Sequence, residues 1–138
     1  MSADCIFCKI VAGEIPSATI HESEHTIAFL DIAPVIPGHA LVIPRKHYAN
    51  LFELPDDLGN ALLSDVKRVG EAIVSATGAQ GLNLGMNNHE AAGQLVMHAH
   101  FHLIPRFDGD GLKLWGQQAY ESQEAMMALA EKIRNSLS

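Results

Sequence analysis

The sequence predicts an α+β fold: an antiparallel β-sheet with one long inserted helix and a short C-terminal helix. Three observations carry this. Residues 17–44 hold three short β-like segments with no helical stretch between them. Residues 55–77 then repeat apolar side chains at helical spacing, and residues 81–105 return to alternation. A parallel doubly wound sheet would need helices alternating with strands, and the first half has none.

Taken in order, Ser17–Glu22 and His25–Ile32, separated by Ser23 and Glu24, read as a hairpin. Ala33–Gly38 is a loop punctuated by proline and glycine. His39–Pro44 is a third strand, ended by its proline. Leu58, Leu62, Val66, Val69 and Ile73 then mark a helix over Pro55–Thr77. Pro55 suits its first turn, Asp56 and Asp57 suit the positive end of its dipole, and Gly78 suits the stop. Leu82, Leu84 and Met86 alternate in a strand over Gly81–Asn87, and Asn88–Gln94 is a turn rich in small residues. Leu95–Pro105 is a further strand, stopped by proline, and Phe107–Gly116 is loop. Met126, Leu129, Ala130 and Ile133 mark the short final helix.

A chain of 138 residues is expected to form one domain, 1–138, with a core of its own. Its 48% apolar and 18% charged residues are ordinary for a globular protein. The longest apolar runs fall far short of the ~18 residues of a membrane span. The start, "MSADCIFCKI", lacks the basic and apolar parts of a signal peptide. A cytoplasmic protein with no membrane partner is therefore expected. The net charge of −7 argues against broad nucleic-acid binding, which needs a basic surface. It leaves room for a small anion held locally by backbone N–H groups and histidines.

Cys5 and Cys8 form a C-x-x-C pair. In a cytoplasmic chain the pattern suggests metal or redox chemistry before a disulfide, with plain buried small residues as the third reading.

The segment "VMHAHFHLIPR" places His98, His100 and His102 in strict alternation. In a strand they share one face, while Met97, Ala99, Phe101 and Leu103 share the other and can bury against the long helix. The histidine face is not built for burial. It could be a solvated face, a metal site or a site for phosphoryl chemistry. Same-face neighbours lie ~6.6 Å apart, so the outer pair would be ~13 Å apart, too far for one Zn²⁺. Such a strand can lend a metal one histidine but hardly three. Imidazole is a nucleophile near neutrality, with an ordinary pKa of about 6.5. A neighbouring histidine can donate to phosphate oxygens, and backbone amides around Gly93 and Gln94 can complete an anion cradle.

"GQLVMHAHFHLIPR" resembles the histidine-triad signature, in which three histidines alternate with apolar residues. "CIFCKIVAGEIPS" and "AFLDIAPVIPGHALVIPRKH" resemble the corresponding blocks of the Hint-like branch of that family. Together the blocks span Cys5 to Arg106. The resemblance implies a HIT-like fold and a hydrolase that cleaves purine nucleoside phosphoramidates or related nucleotide conjugates at the α-phosphate, releasing a nucleoside monophosphate. Its alternatives are a dinucleoside polyphosphate hydrolase and a nucleotide-binding regulatory or scaffold protein.

By the same resemblance, His100 is the nucleophile and carries a phosphohistidine. His102 bonds phosphate oxygens and assists the leaving group, and the His98 carbonyl orients the His100 ring. Asn87 and the amides of Gly93, Gln94 and Leu95 cradle the phosphate. Many relatives carry Ser or Thr where Leu95 stands, so only its N–H can serve. Asp31 takes the ribose hydroxyls. Ile6, Phe7, Ile10, Ile15, Phe29 and Ile32 wall the base pocket, although each alone could be ordinary core. Cys5, Cys8, His47 and His98 match a structural Zn²⁺ site that catalysis does not require, with His39 as a rival ligand or a support for the active site. His21, His25 and His89 are expected at the surface. The resemblance also implies a homodimer, for which the long helix and the adjacent strand could supply the interface.

Overall fold

The computed structural model describes residues 4–137. The elements are α1 (Ile6–Val11), β1 (Thr19–Glu22), β2 (Thr26–Leu30), β3 (Ala40–Pro44), α2 (Gly59–Thr77), β4 (Gly81–Gly85), β5 (Phe101–Arg106) and α3 (Gln123–Ser136). The five strands form one antiparallel sheet in the order β1-β2-β3-β5-β4. The class is the expected one, with the long helix between β3 and β4. The last helix runs 14 residues, shorter than the 19 of α2. No helix among the described residues is long and apolar enough to cross a membrane.

Alternation in the central strands feeds two separate cores. Ile27, Phe29, Leu41 and Ile43 pack on one face with Phe7, Cys5 and Cys8. Ala28, Ala40, Val42 and Leu103 pack on the other with Val66, Val69 and Ile73 of α2. Because both faces are covered, β3 is buried along its whole length. α2 begins after a 3₁₀ turn at Asp56–Leu58, so its α-helical part starts four residues later than the sequence suggests. It ends as expected at Gly78, whose φ of 73° is left-handed and whose N–H caps Val74 O at 3.0 Å. α1 escaped the sequence reading because six residues are too few to show a period. Its N-cap is Cys5, whose sulfur accepts from the Cys8 N–H at 3.3 Å.

The predicted strand over Leu95–Pro105 forms only from Phe101 onward. On β3, Val42 is the last residue paired with β5, opposite Phe101. Beyond it Pro44 has no N–H to offer, and its carbonyl is taken by the His98 side chain at 2.9 Å. The chain before Phe101 is held instead by Ala99 N–H donating to Tyr48 O at 2.7 Å. The simple two-face pattern therefore breaks. Ala99 and Leu103 are buried as expected, but Met97 is 46% exposed. His98 and His100 are buried rather than solvated.

The β1–β2 turn is fastened to α2 by a buried carboxylate. Asp65 Oδ2 accepts from Ser23 Oγ at 2.7 Å and Thr26 Oγ1 at 2.8 Å, and Oδ1 lies 3.4 Å from His21 Nε2. His21 is thus turned inward, against the expectation of a surface residue, whereas His25 and His89 are exposed. Burial raises the Asp65 pKa, but the two hydroxyl donors and His21 outweigh it and hold the group below the ordinary carboxylate value. A lowered pKa contributes stability above the unfolded value, and that stability is lost as pH falls through the folded one. Asp65→Ala should cost about 1–3 kcal/mol in urea unfolding at pH 7, because the buried Thr26 hydroxyl and the half-buried Ser23 hydroxyl lose their acceptor. The difference from the parent should shrink toward pH 3, and a pH-independent difference would count against the charged-acceptor account.

Candidate active site

His98 sits where the chain leaves β3's edge, and both its backbone and its side chain are used. Nε2 faces Pro44 O, a group that can only accept, so Nε2 carries the proton and Nδ1 keeps its lone pair. Nδ1 lies 3.4 Å from Cys5 Sγ and 3.6 Å from Cys8 Sγ, and His47 Nδ1 lies 3.4 Å from Cys8 Sγ. All four donor atoms fall within 4.8 Å of one another. A tetrahedral Zn²⁺ with bonds of ~2.3 Å to sulfur and ~2.05 Å to nitrogen places S and N about 3.5 Å apart. The donor set and its spacing fit that ion, and the Pro44 carbonyl is the outer partner a metal-binding imidazole uses. Burial lowers the His98 pKa, against the pull of the Pro44 carbonyl, which keeps the ring neutral.

His100 points the other way along the same backbone. Its Nδ1 is 2.7 Å from the His98 carbonyl, so Nδ1 carries the proton and Nε2 keeps its lone pair. Phe7 packs edge-on against the ring at 5.2 Å.

His102 is set by His39. Val35 N–H donates to His39 Nδ1 at 3.0 Å, which puts the proton of a neutral His39 on Nε2. Nε2 meets His102 Nδ1 at 2.9 Å, so His102 accepts there and holds its own proton on Nε2. Burial, then the neighbouring His100 and His39, push the His102 pKa down to about 4, against the pull of Asp31. His39 is lowered too, by burial, against Asp31. Asp31, His39 and His102 also bring donor atoms together. However, 2.9 Å is shorter than the ~3.3 Å edge of a tetrahedral N–Zn–N pair, and suits a hydrogen bond. His39 therefore belongs with the triad, not with the cysteines.

A cavity of about 410 Å³ opens over His100 and His102. Its walls include Ile6, Phe7, Ile10, Ile15, Phe29, Asp31, Ile32, Asn87, Gly93 and Leu95, as the sequence suggests. Ser17, Leu41 and Val96 line it as well, with no motif to announce them. Two of the expected wall residues are open to solvent at its mouth, Ile32 at 97% and Leu95 at 89%. A cleft of about 470 Å³ beside Arg45 is larger, but it holds no triad histidine.

Gln94 is the exception among the expected ligands. It does not line the cavity and is 1% exposed. Its side chain donates to Ala49 O and Val96 O and accepts from the His89 N–H, while its own N–H goes to His89 O at 3.2 Å. Gln94 therefore braces the loop from within and has no N–H left for an anion. The bracing has work to do, because His89 sits at φ 72°, ψ 159°, a region nearly reserved for glycine and costing about 1–3 kcal/mol. Gly93, at φ 97°, closes the loop against Asn87, where an added Cβ would come within 3.4 Å of the amide nitrogen.

Comparison with known proteins agrees with this geometry. A family profile described as HIT domain matches residues 12–109. An adenosine 5'-monophosphoramidase of Schizosaccharomyces pombe is 42% identical over 134 residues, covering 96% of this chain and 98% of that protein. A crystal structure of a Streptococcus mutans protein superposes along 100% of this chain and 88% of its own, with a TM-score of 0.93 and 41% identity. A Zn-bound histidine triad protein from Mycobacterium smegmatis is 32% identical, with a TM-score of 0.76 over 97% of this chain and 98% of that one.

The hydrogen-bond directions make a spectroscopic prediction. Imidazole ¹⁵N shifts at pH 7 should show the Nδ1–H tautomer for His100 and the Nε2–H tautomer for His39, His98 and His102. His102 should stay neutral until the pH nears about 4. Because its folded pKa lies below the ordinary 6.5, the unfolded chain takes that proton first. Burial of His102 therefore costs nothing above about pH 6.5, costs progressively more as the pH falls toward about 4, and its full cost persists below that. An Nδ1–H tautomer at His102 would refute the His39 assignment.

Proposed function

The chain belongs to the HIT domain family, and from this we infer that it is a hydrolase acting on nucleotide phosphorus, cleaving purine nucleoside phosphoramidates or related conjugates at the α-phosphate. One observation carries the reading: a bare imidazole nitrogen, His100 Nε2, and a protonated one, His102 Nε2–H, belong to rings 5.0 Å apart that line the same cavity. One ring can attack phosphorus while the other binds its oxygens. The name of the Schizosaccharomyces pombe relative supports the substrate class.

In this reading the nucleoside lies against Phe7, Phe29, Ile6, Ile10 and Ile32. Asp31 accepts from the ribose hydroxyls; its Oδ1 already takes the Ala33 N–H at 2.9 Å but keeps a further lone pair. Asn87, with the amide of Leu95, holds the phosphate, because the Gly93 N–H is already given to Glu90 O at 2.9 Å. His100 Nε2 forms a bond to phosphorus as the bond to the leaving nitrogen breaks, with the electron pair departing on that nitrogen, which takes a proton from the solvent side. His102 donates to a phosphate oxygen or to the leaving atom. Water then splits the phosphohistidine, releasing the nucleoside monophosphate and restoring His100. His39 acts through His102 and is a positioning residue. Gln94 acts through the loop.

Cys5, Cys8, His47 and His98 hold a structural Zn²⁺ in the same reading. The ion would lock the His98 ring and, through it, the carbonyl that orients His100. The protein is taken as one domain, residues 1–138, since both cores share a single sheet. It is further read as a cytoplasmic homodimer joined through α2 and β4. The unpaired edge of β4 and an apolar groove of about 440 Å³ beside it support that surface.

Incubation with a labelled adenosine phosphoramidate should trap an acid-labile adduct. His100→Ala should lose the adduct and roughly 10³-fold or more of kcat/KM; turnover equal to the parent would exclude His100 as nucleophile. Protein purified without chelator should carry about one zinc per chain. Stripping the metal should lower both Tm and kcat, because His98 loses its anchor. Full-length, folded protein with only trace zinc would remove the metal from this account.

A further inference from the structure

Cys5 and Cys8 stand three positions apart where α1 begins, a spacing that puts their side chains on one face. Cys5 Sγ accepts from the Cys8 N–H at 3.3 Å, which draws that sulfur over the first turn. The two Sγ atoms lie within 4.8 Å of each other, so they need close by at most about 2.8 Å to reach the ~2.05 Å of a disulfide. Their surroundings differ. Cys5 lines a cavity of about 340 Å³ together with Asp4, His47, Leu95 and Met97, whereas Cys8 is only 3% exposed. A small solute therefore reaches Cys5 first, with Cys8 behind it. A closed structural zinc site has no need of such an opening. The cavity also shares Ile6, Leu95 and Val96 with the one over the triad.

The residues between the two cysteines, Ile6 and Phe7, both wall the cavity over His100. Phe7 packs edge-on against His100 at 5.2 Å, Phe29 at 5.6 Å and His98 at 5.9 Å. Drawing the sulfurs together bends the turn that carries both side chains. We propose that Cys5 and Cys8 are a reversible oxidation site, at which a hydroperoxide joins the two sulfurs, withdraws them from zinc and shifts the Ile6–Phe7 wall of the nucleotide cavity. Cys5 Sγ attacks the outer oxygen of the hydroperoxide. The O–O bond breaks, and the departing alkoxide or hydroxide takes a solvent proton. Cys8 Sγ then attacks the Cys5 sulfenic sulfur, the S–S bond forms, and the hydroxide that leaves is protonated to water. The sulfurs lose two electrons and the hydroperoxide gains them. Only thiolate holds the metal, so the disulfide leaves His47 and His98 as two ligands where four are needed. Cytoplasmic thiol reductants reverse the bond, and disulfides in that compartment are usually transient. The release of metal rests on the zinc reading above; the disulfide rests on the sulfur geometry alone.

The test treats the full chain, reduced and carrying its zinc, with hydrogen peroxide. Thiols are followed by alkylation and peptide mass, zinc by a chromogenic chelator, and adenosine monophosphate affinity by calorimetry. The expected result is a Cys5–Cys8 disulfide within one peptide, about one zinc released per disulfide, and an affinity lowered roughly tenfold, the equivalent of one lost apolar contact. Dithiothreitol with added zinc should restore all three. That recovery separates the disulfide from a sulfoxide at Met97, which needs its own reductase. Cys8→Ser should stop at a Cys5 sulfenic acid that dimedone traps, and Cys5→Ser should give no adduct at Cys8. Two thiols still open to alkylation in the peroxide-treated parent would overturn the oxidation site. A dimedone adduct on Cys8 in place of Cys5 would overturn the order of attack. A disulfide that leaves the affinity unchanged would overturn the coupling to the cavity, and no binding to either form would remove that coupling together with the nucleotide reading. Trace zinc in the reduced chain would remove the zinc reading and the release with it, while the peptide mass still decides the disulfide.

Discussion

The bond from His98 Nε2 to the carbonyl of Pro44 is the constraint on which the rest of the site depends. Pro44 closes β3 and cannot donate to a further ladder rung, so its carbonyl is available to a side chain. Taking it fixes the His98 ring, directs Nδ1 at Cys5 and Cys8, and bends the chain before Phe101. That bend releases His98 and His100 from the strict two-face pattern of a strand. One residue then looks toward the cysteines and the other toward the cavity. The His98 backbone carbonyl, held by the same arrangement, orients His100.

Protonation follows from backbone groups in each case. A carbonyl can only accept and an amide N–H can only donate, so the Pro44 and His98 carbonyls and the Val35 amide each assign one imidazole. His102 takes its assignment at one remove, through His39. The result is a lone pair and an N–H on adjacent rings without a charged residue holding either of them. Burial keeps His98, His39 and His102 on the neutral side. A charged imidazole at His39 or His102 would turn an N–H toward the donor from which that nitrogen now accepts, so neutrality and geometry enforce one another there.

The loop from Asn87 to Leu95 shows the cost of such placement. His89 occupies a backbone conformation suited to glycine, and the buried amide of Gln94 ties it down from inside. The sequence suggests Gln94 as a phosphate ligand because its backbone amide stands beside Gly93 in the expected anion cradle. Its burial, visible only once segments 48–53 and 94–99 are side by side, gives it the opposite task. Asp65 plays a comparable part on the far side, joining the first hairpin to α2 through Ser23 and Thr26.

Much of this was legible in the chain. Periodicity alone yields the α+β class, the long helix and its glycine stop, because 2.0 and 3.6 are local repeats that short windows display. The spacing of His98, His100 and His102 and the Cys5–Cys8 pair point to the site, because these residue types are rarely placed together without chemistry, whereas Asp31 is pointed to only by the resemblance of its block to the histidine-triad family. What local pattern could not decide was any feature requiring two distant segments. The early end of β5 depends on Pro44, the tautomer of His102 depends on Val35 by way of His39, and the inward turn of His21 depends on Asp65. The sequence determined which groups would be present and on which elements. Only the tertiary structure decided which nitrogen of each histidine carries its proton, because a hydrogen bond is set by the partner that folding brings within 3 Å, and sequence distance says nothing about that partner.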